Sequence, residues 1–141
     1  MKGLNIEIYA HDSEVDVAHK INTMELHNWI NHLTYIRKEL GNLIQFYNAQ
    51  PAQKRLEQES TSQRFEMKQI ENDVILVELQ KFKVSRDTIA ECEDVHCDMT
   101  FIQEHEKCRR MYLFHIDKYR KLKDTFFKEL QGKISQVAQP A

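Results

Sequence analysis

The apolar residues between Glu25 and Tyr47 recur at helical spacing, and this pattern constrains the fold more than any other feature of the sequence. Successive steps along the series alternate between three and four residues. The series is Leu26, Trp29, Leu33, Ile36, Leu40, Leu43 and Tyr47. Such alternation is the heptad pattern of a helix that packs one face against a partner helix. Ile30 and Ile44 widen the stripe, which indicates a helix that contacts two neighbours.

Turn-forming residues are scarce in this chain of 141 residues, which has three glycines and two prolines. Gly41 and Pro51 are the ones that lie away from the ends of the sequence. All-β and α/β folds need such residues much more often. A chain of this length can form one domain with an ordinary core. We therefore predict a single all-α domain over residues 1–141, an antiparallel three-helix bundle with coiled-coil-like packing.

The first helix is preceded by residues 1–12, which we predict to be an extended or poorly ordered arm. The helix is expected to begin between Ser13 and Asn22 and to end near Asn48. Asn22 with Glu25 forms one candidate capping box, and Ser13 is the earlier candidate for the N-cap.

The second helix is expected to begin at Pro51 or after Ser62. Two neighbouring apolar stripes predict that this helix is buried against more than one neighbour. One stripe consists of Met67, Ile70, Val74 and Val77, and the other of Ile75, Leu79, Phe82 and Ile89.

The turn that follows the second helix has two candidate cap signals. Thr88 with Glu91 would begin a third helix of about 45 residues, nearly 70 Å long, which would extend far beyond the first helix. Thr100 with Gln103 would instead produce three helices of comparable length. We therefore predict a turn within residues 96–100.

The third helix is predicted to run from Phe101 to about Leu130, with Gly132 as its stop and residues 135–141 as a frayed tail. One face of this helix carries four side chains that could line a polar, ligand-binding pocket inside the bundle. They are His105, Cys108, Tyr112 and His115. The alternative, which we favour, is that these side chains lie at the edge of the core with their polar tips hydrogen-bonded or hydrated.

The overall charge and hydropathy limit the possible partners and locations. A formal net charge of −2 argues against general attraction to nucleic acid or anionic lipid. No apolar run approaches the length of a membrane span, and the first residues contain no apolar core of signal-peptide length. An odd number of cysteines, three, is typical of a reduced protein. We therefore predict a cytoplasmic protein that does not associate with membranes.

Two segments resemble small bacterial helical-bundle proteins of no assigned function. The first is the helix that contains Trp29, Leu33, Glu39, Leu40 and Leu43, and the second is the closing segment Lys123-Asp-Thr-Phe-Phe-Lys-Glu-Leu130. The resemblance covers two helices of the three and implies a bundle fold. It implies no activity and no site residue.

Cysteine and histidine lie close together around the expected second turn, where Cys92, His96 and Cys97 are candidate zinc ligands. A zinc site needs four ligands, or three with a water molecule, and the chain has no Cys-x-x-Cys pair. A di-iron bundle would need two Glu-x-x-His motifs, of which Glu93 with His96 supplies one. We therefore expect no bound metal and no cofactor.

A basic segment near the end of the third helix includes Arg120, Lys121 and Lys123. These side chains could bind an acidic partner or nucleic acid, but a solvated helix face explains them more simply because no docking motif accompanies them.

The sequence contains no glycine-flanked serine, no phosphate-binding glycine loop and no dinucleotide-binding fingerprint. An enzyme is therefore disfavoured. We predict a non-enzymatic protein that acts by protein–protein interaction or self-association. The alternatives are a metal- or ligand-binding bundle that uses its histidines and cysteines, and a binder of acidic partners or nucleic acid.

Overall fold

The computed structural model describes residues 4–138, with side chains described up to residue 132. This part of the chain is all-α and contains no strand, which confirms the predicted fold class. The four helices are α1 (Glu14–Asn48), α2 (Ala52–Glu57), α3 (Glu59–Ser85) and α4 (Val95–Ala138), and a 3₁₀ helix (Arg86–Glu91) follows α3.

The start of α1 is fixed by a capping box at Ser13. The Ser13 hydroxyl accepts a hydrogen bond from the Asp16 amide at 3.1 Å, and the Asp16 carboxylate accepts one from the Ser13 amide at 3.1 Å. These bonds satisfy two backbone groups that the helix itself leaves unpaired. Of the two candidate caps, Ser13 is therefore the one used, and α1 ends at Asn48 as predicted. The described part of the arm, residues 4–12, is not helical.

Replacing the cap should destabilise the protein measurably. We expect Ser13→Ala to lower the free energy of unfolding by about 1 kcal/mol, because the first-turn amides lose their acceptor. Asn22→Ala is the matched control, since Asn22 lies inside α1 and alanine is the better helix former there. Urea unfolding of both variants measures the difference, and an equal loss in both would contradict this account of the cap.

The connection from α3 to α4 differs from the predicted one. The turn predicted within residues 96–100 is wrong, because α3 ends at Ser85 and α4 begins at Val95. The Asp94 carboxylate caps α4 by accepting the Cys97 amide hydrogen at 2.8 Å, so the turn needs neither glycine nor proline. The resulting helix of 44 residues is about 66 Å long.

The end of α4 also differs from the prediction. The helix continues through Gly132 to Ala138, so Gly132 does not end it and residues 135–138 are helical. The remainder of the predicted frayed tail, residues 139–141, lies outside the described residues.

The core lies between α1, α3 and α4, which contact one another pairwise. Arg86, just after α3, contacts His19 near the start of α1, and Asn72 in α3 contacts Leu33 in the middle of α1. The predicted apolar stripe of α1 is largely buried, and Leu33 and Leu40 are fully buried. The second predicted stripe of α3 also faces inward, since Leu79 is buried and Ile75 and Phe82 pack against the core.

Candidate interaction surface

The first predicted stripe of α3 is not in the core. Met67, Ile70, Val74 and Val77 are 63%, 66%, 57% and 47% exposed, so the prediction that they pack inside is wrong. We call these four residues, together with Val84 at 68% exposure, the outer face of α3. Val74 follows the fully buried Phe65 by nine residues, or two and a half helical turns, which places it on the opposite side of the helix.

The inward side of α3 includes polar side chains that hydropathy alone would assign to the surface. Asn72 is completely buried and donates from its amide to the Leu33 carbonyl at 2.9 Å. Lys68 is 7% exposed and donates to the Glu71 carboxylate at 2.6 Å. Because buried polar groups with partners are tolerated in a core, α3 can turn this side inward and leave the outer face exposed.

Acidic residues flank the outer face along both edges. They are Glu66 and Asp73 on the edge toward α1, and Glu71 and Glu78 on the edge toward α4. Three of them have a basic neighbour in the same molecule: Asp73 pairs with Arg37 at 3.4 Å, Glu71 with Lys68 at 2.6 Å and Glu78 with Lys81 at 3.6 Å. The hydrogen bond from Lys68 holds the pKa of Glu71 below its ordinary value. Glu71 therefore stays negatively charged at neutral pH.

The four side chains proposed to line a polar pocket lie in or at the edge of the core. His105 is fully buried, its ring stacks on Trp29 at 4.8 Å, and its Nε2 lies 2.6 Å from the Glu25 carboxylate. Tyr112 also stacks on Trp29, at 5.3 Å, and shares a hydrogen bond with His32. Cys108 packs against the core.

The fourth of these side chains, His115, is 2% exposed and bonds to Asn72. The grooves between α1 and α4, between α3 and α4, and beside α2 are lined by other residues. His105, Tyr112 and His115 are therefore hydrogen-bonded groups in or beside the core, and Cys108 packs against it.

Glu25 is the acceptor that holds this part of the core together. It accepts from His105 and, at 2.5 Å, from Arg109. Burial opposes ionisation of Glu25, but the hydrogen bonds from Arg109 and His105 outweigh it and hold its pKa below the ordinary value. Burial lowers the pKa of His105 despite the opposing hydrogen bond from Glu25. This network links α1 to α4.

The candidate zinc ligands at the start of α4 are arranged differently from a metal site. Cys92 and Cys97 form a disulfide, which leaves neither sulfur as a thiolate ligand, and the His96 side chain is exposed. Among the residues that the structure describes, no group of three or more histidine, cysteine, aspartate or glutamate side chains is placed to hold a metal ion.

The three residues of the predicted basic patch face two different grooves. Arg120 and Lys123 line a groove of about 370 Å³ between α1 and α4, where Lys123 pairs with Glu39 at 2.7 Å. Lys121 lines the groove between α3 and α4 and pairs with Asp117 at 2.9 Å. The structure therefore does not bring the three charges together on one surface.

Comparison of the chain with protein-family models, with curated proteins and with solved structures found no match. Within residues 4–138, no helix combines the length and the apolar character that crossing a bilayer requires. A proposal for the function of this chain therefore rests on its described surface.

The sequence pattern did not identify the outer face of α3 as a surface, because its spacing is the same as that of a core stripe. The acidic residues along both edges of this face are the sequence feature that could have identified it as a surface.

Proposed function

We propose that the protein is a non-enzymatic helical module that binds a partner protein through the outer face of α3. The observation that supports this proposal is an apolar stripe from Met67 to Val77 at three- and four-residue spacing, which lies opposite the core and is about half or more exposed at each of its four positions. Exposed apolar surface that is continuous along a helix is typical of binding sites. A helix laid along such a stripe would bury it in the manner of a coiled coil.

The framework of this module is, in our proposal, an antiparallel three-helix bundle formed by α1, α3 and α4. The three-four spacing of α1 supports coiled-coil-like packing. The contacts of His19 with Arg86 and of Leu33 with Asn72 support an antiparallel arrangement of α1 and α3, because the residue numbers rise in one helix as they fall in the other.

The charges around the outer face favour a partner helix with basic flanks. If Met67 and Val74 occupy a positions and Ile70 and Val77 occupy d positions, the e and g positions from residue 66 to residue 78 are all acidic. Two copies of α3 paired through this face would place acidic residues opposite acidic residues in either orientation, which is destabilising. A helix with lysine or arginine at its own e and g positions would instead form ion pairs on both edges. We therefore assign the face to a different protein rather than to a second copy.

A designed peptide tests this assignment. The probe is an amphipathic helix of four heptads with leucine at a and d and lysine at e and g, and its counterpart carries glutamate at e and g. We expect the lysine peptide to bind, the binding to weaken as salt is raised, and the glutamate peptide not to bind. Val74→Glu should weaken binding of the lysine peptide by roughly tenfold or more, because it buries a charge in the seam. Isothermal titration calorimetry measures both affinities.

Phe114→Glu is the matched control, since Phe114 is 63% exposed but lies on α4, outside the outer face. It should leave binding of the lysine peptide unchanged. Equal binding of both peptides, or no binding of the lysine peptide, would overturn the assignment. If light scattering shows a dimer that Val74→Glu converts to a monomer, the outer face binds a second copy of this chain and not a different protein.

A further inference from the structure

The turn between the 3₁₀ helix and α4 contains a disulfide that the proposed binding function does not use. Cys92 and Cys97 are bonded to each other; their Cα atoms are 5.5 Å apart, and their sequence numbers differ by five. Both residues are half-buried, so solvent reaches them. The disulfide contradicts the expectation of a reduced protein. In a reducing compartment, such bonds are usually transient and redox-sensing.

Noncovalent contacts hold both sides of this turn against α1. On one side, Arg86 is buried and donates to the His19 carbonyl at 2.8 Å and to the Thr23 hydroxyl at 2.6 Å. On the other side, the Asp98 carboxylate lies 2.8 Å from Nε2 of His19. The Asp94 cap fixes the first turn of α4 independently. These contacts do not involve either sulfur, so they persist when the disulfide is reduced and keep the two thiols close together.

Cys108 provides an internal comparison. It lies eleven residues beyond Cys97 on the same helix, about 16 Å along the axis, too far to reach the pair. It packs against the core, and burial, together with the nearby carboxylates of Glu104 and Glu78, raises the pKa of its thiol. Cys108 is half-buried like the pair, but its thiol stays protonated at neutral pH, and a protonated thiol is a poor nucleophile.

We propose that Cys92 and Cys97 form a thiol–disulfide exchange site, which a small-molecule disulfide such as oxidised glutathione oxidises and a small-molecule thiol reduces while the chain stays folded. In oxidation, one cysteine thiolate attacks a sulfur of oxidised glutathione and releases one glutathione thiolate, which leaves a mixed disulfide. The second cysteine thiolate then attacks the protein sulfur of that mixed disulfide and releases the second glutathione. Two electrons pass from the dithiol to the glutathione disulfide, and the two thiol protons end on the two glutathione thiols.

Thiol counting by mass spectrometry tests the proposal on the folded, full-length protein. After incubation with oxidised glutathione, we expect N-ethylmaleimide to label no cysteine in the native state and Cys108 alone after unfolding. After incubation with reduced glutathione, we expect two adducts to form rapidly in the native state, with an unchanged far-ultraviolet circular dichroism spectrum. Closure of the pair should be roughly tenfold or more faster in the native protein than in urea, because the anchored turn raises the effective concentration of each thiol.

Variants separate exchange from structure. In a Cys108→Ser background, Cys97→Ser should accumulate the glutathione mixed disulfide at Cys92, because no second thiol is present to displace it. The background variant alone should not accumulate it. A pair that reduced glutathione opens only when the protein unfolds would be a structural disulfide and would overturn the proposal. So would a pair that stays reduced in excess oxidised glutathione, or a Cys108 that reacts as fast as the pair.

Discussion

Trp29→Ala should lower the free energy of unfolding by about 3–5 kcal/mol, the range for removal of a large aromatic side chain from a core. Trp29 is 6% exposed, and its ring is stacked between two partners on α4, with His105 at 4.8 Å and Tyr112 at 5.3 Å. The guanidinium of Arg109 lies 6.0 Å from the same ring. Removing the indole therefore leaves a cavity where α1 and α4 meet and exposes the Glu25 network beside it.

The matched control is Phe114→Ala on α4. Phe114 is 63% exposed and contacts the Lys118 ammonium at 4.3 Å, so its loss should cost less than about 1 kcal/mol. Urea unfolding followed by circular dichroism measures both variants. Similar losses in the two would mean that Trp29 does not anchor α1 against α4.

The first helix was predictable because its apolar residues occupy one stripe and its caps are local. Leu33 and Leu40 lie on the buried face that the spacing predicted, and Asn48 is the last helical residue. The choice between Ser13 and Asn22 as the cap stayed open, since both satisfy the short-range rules for a helix start. Only the position of the Asp16 side chain distinguishes them.

The orientation of α3 could not be predicted because both of its sides are apolar. Spacing identifies stripes but not which of two stripes faces inward. The buried side contains Asn72 and Lys68, whose polar groups find partners on Leu33 and Glu71. Glu71 is one helical turn from Lys68, but Leu33 is 39 positions from Asn72 in the sequence, and only the fold brings those two residues together.

The start of α4 was missed for a different reason. The predicted turn depended on three helices of comparable length, but α4 has 44 residues, against 35 in α1 and 27 in α3. Asp94 caps the first turn of α4. The disulfide in the turn joins Cys92 and Cys97, which the sequence presents as candidate zinc ligands. Cysteine spacing alone does not distinguish a disulfide from a ligand pair.

Stability should fall as the pH is lowered from about 6.5 to 4, and His115 should cause much of the loss. Burial and, to a smaller extent, the nearby Lys68 ammonium together lower the pKa of His115 from 6.5 to about 4. Asn72 donates to Leu33 through its amide group, so its Oδ1 accepts from Nε2 of His115 at 2.8 Å. Nδ1 of His115 is buried and finds no hydrogen-bond partner among the described residues. Protonation would therefore create a charged donor that has no acceptor.

The folded and unfolded states bind protons differently, and this difference determines the direction in which stability changes with pH. Between pH 6.5 and 4 the unfolded chain binds a proton at His115 and the folded chain does not, so lowering the pH favours unfolding. The difference between the two pKa values corresponds to about 3 kcal/mol once the pH is below both. Burial also lowers the pKa values of His105 and His32, which adds to the slope in the same direction.

His115→Gln isolates the contribution of this one residue. Glutamine can still donate to Asn72 but does not titrate, so the variant should lose about 3 kcal/mol less than the wild type between pH 6.5 and pH 4. His96→Gln, which replaces an exposed histidine, is the control and should keep the wild-type slope. Urea unfolding at a series of pH values gives the three slopes. If His115→Gln and the wild type have the same slope, His115 is not held neutral by the core, and the Asn72 hydrogen bond does not set its charge.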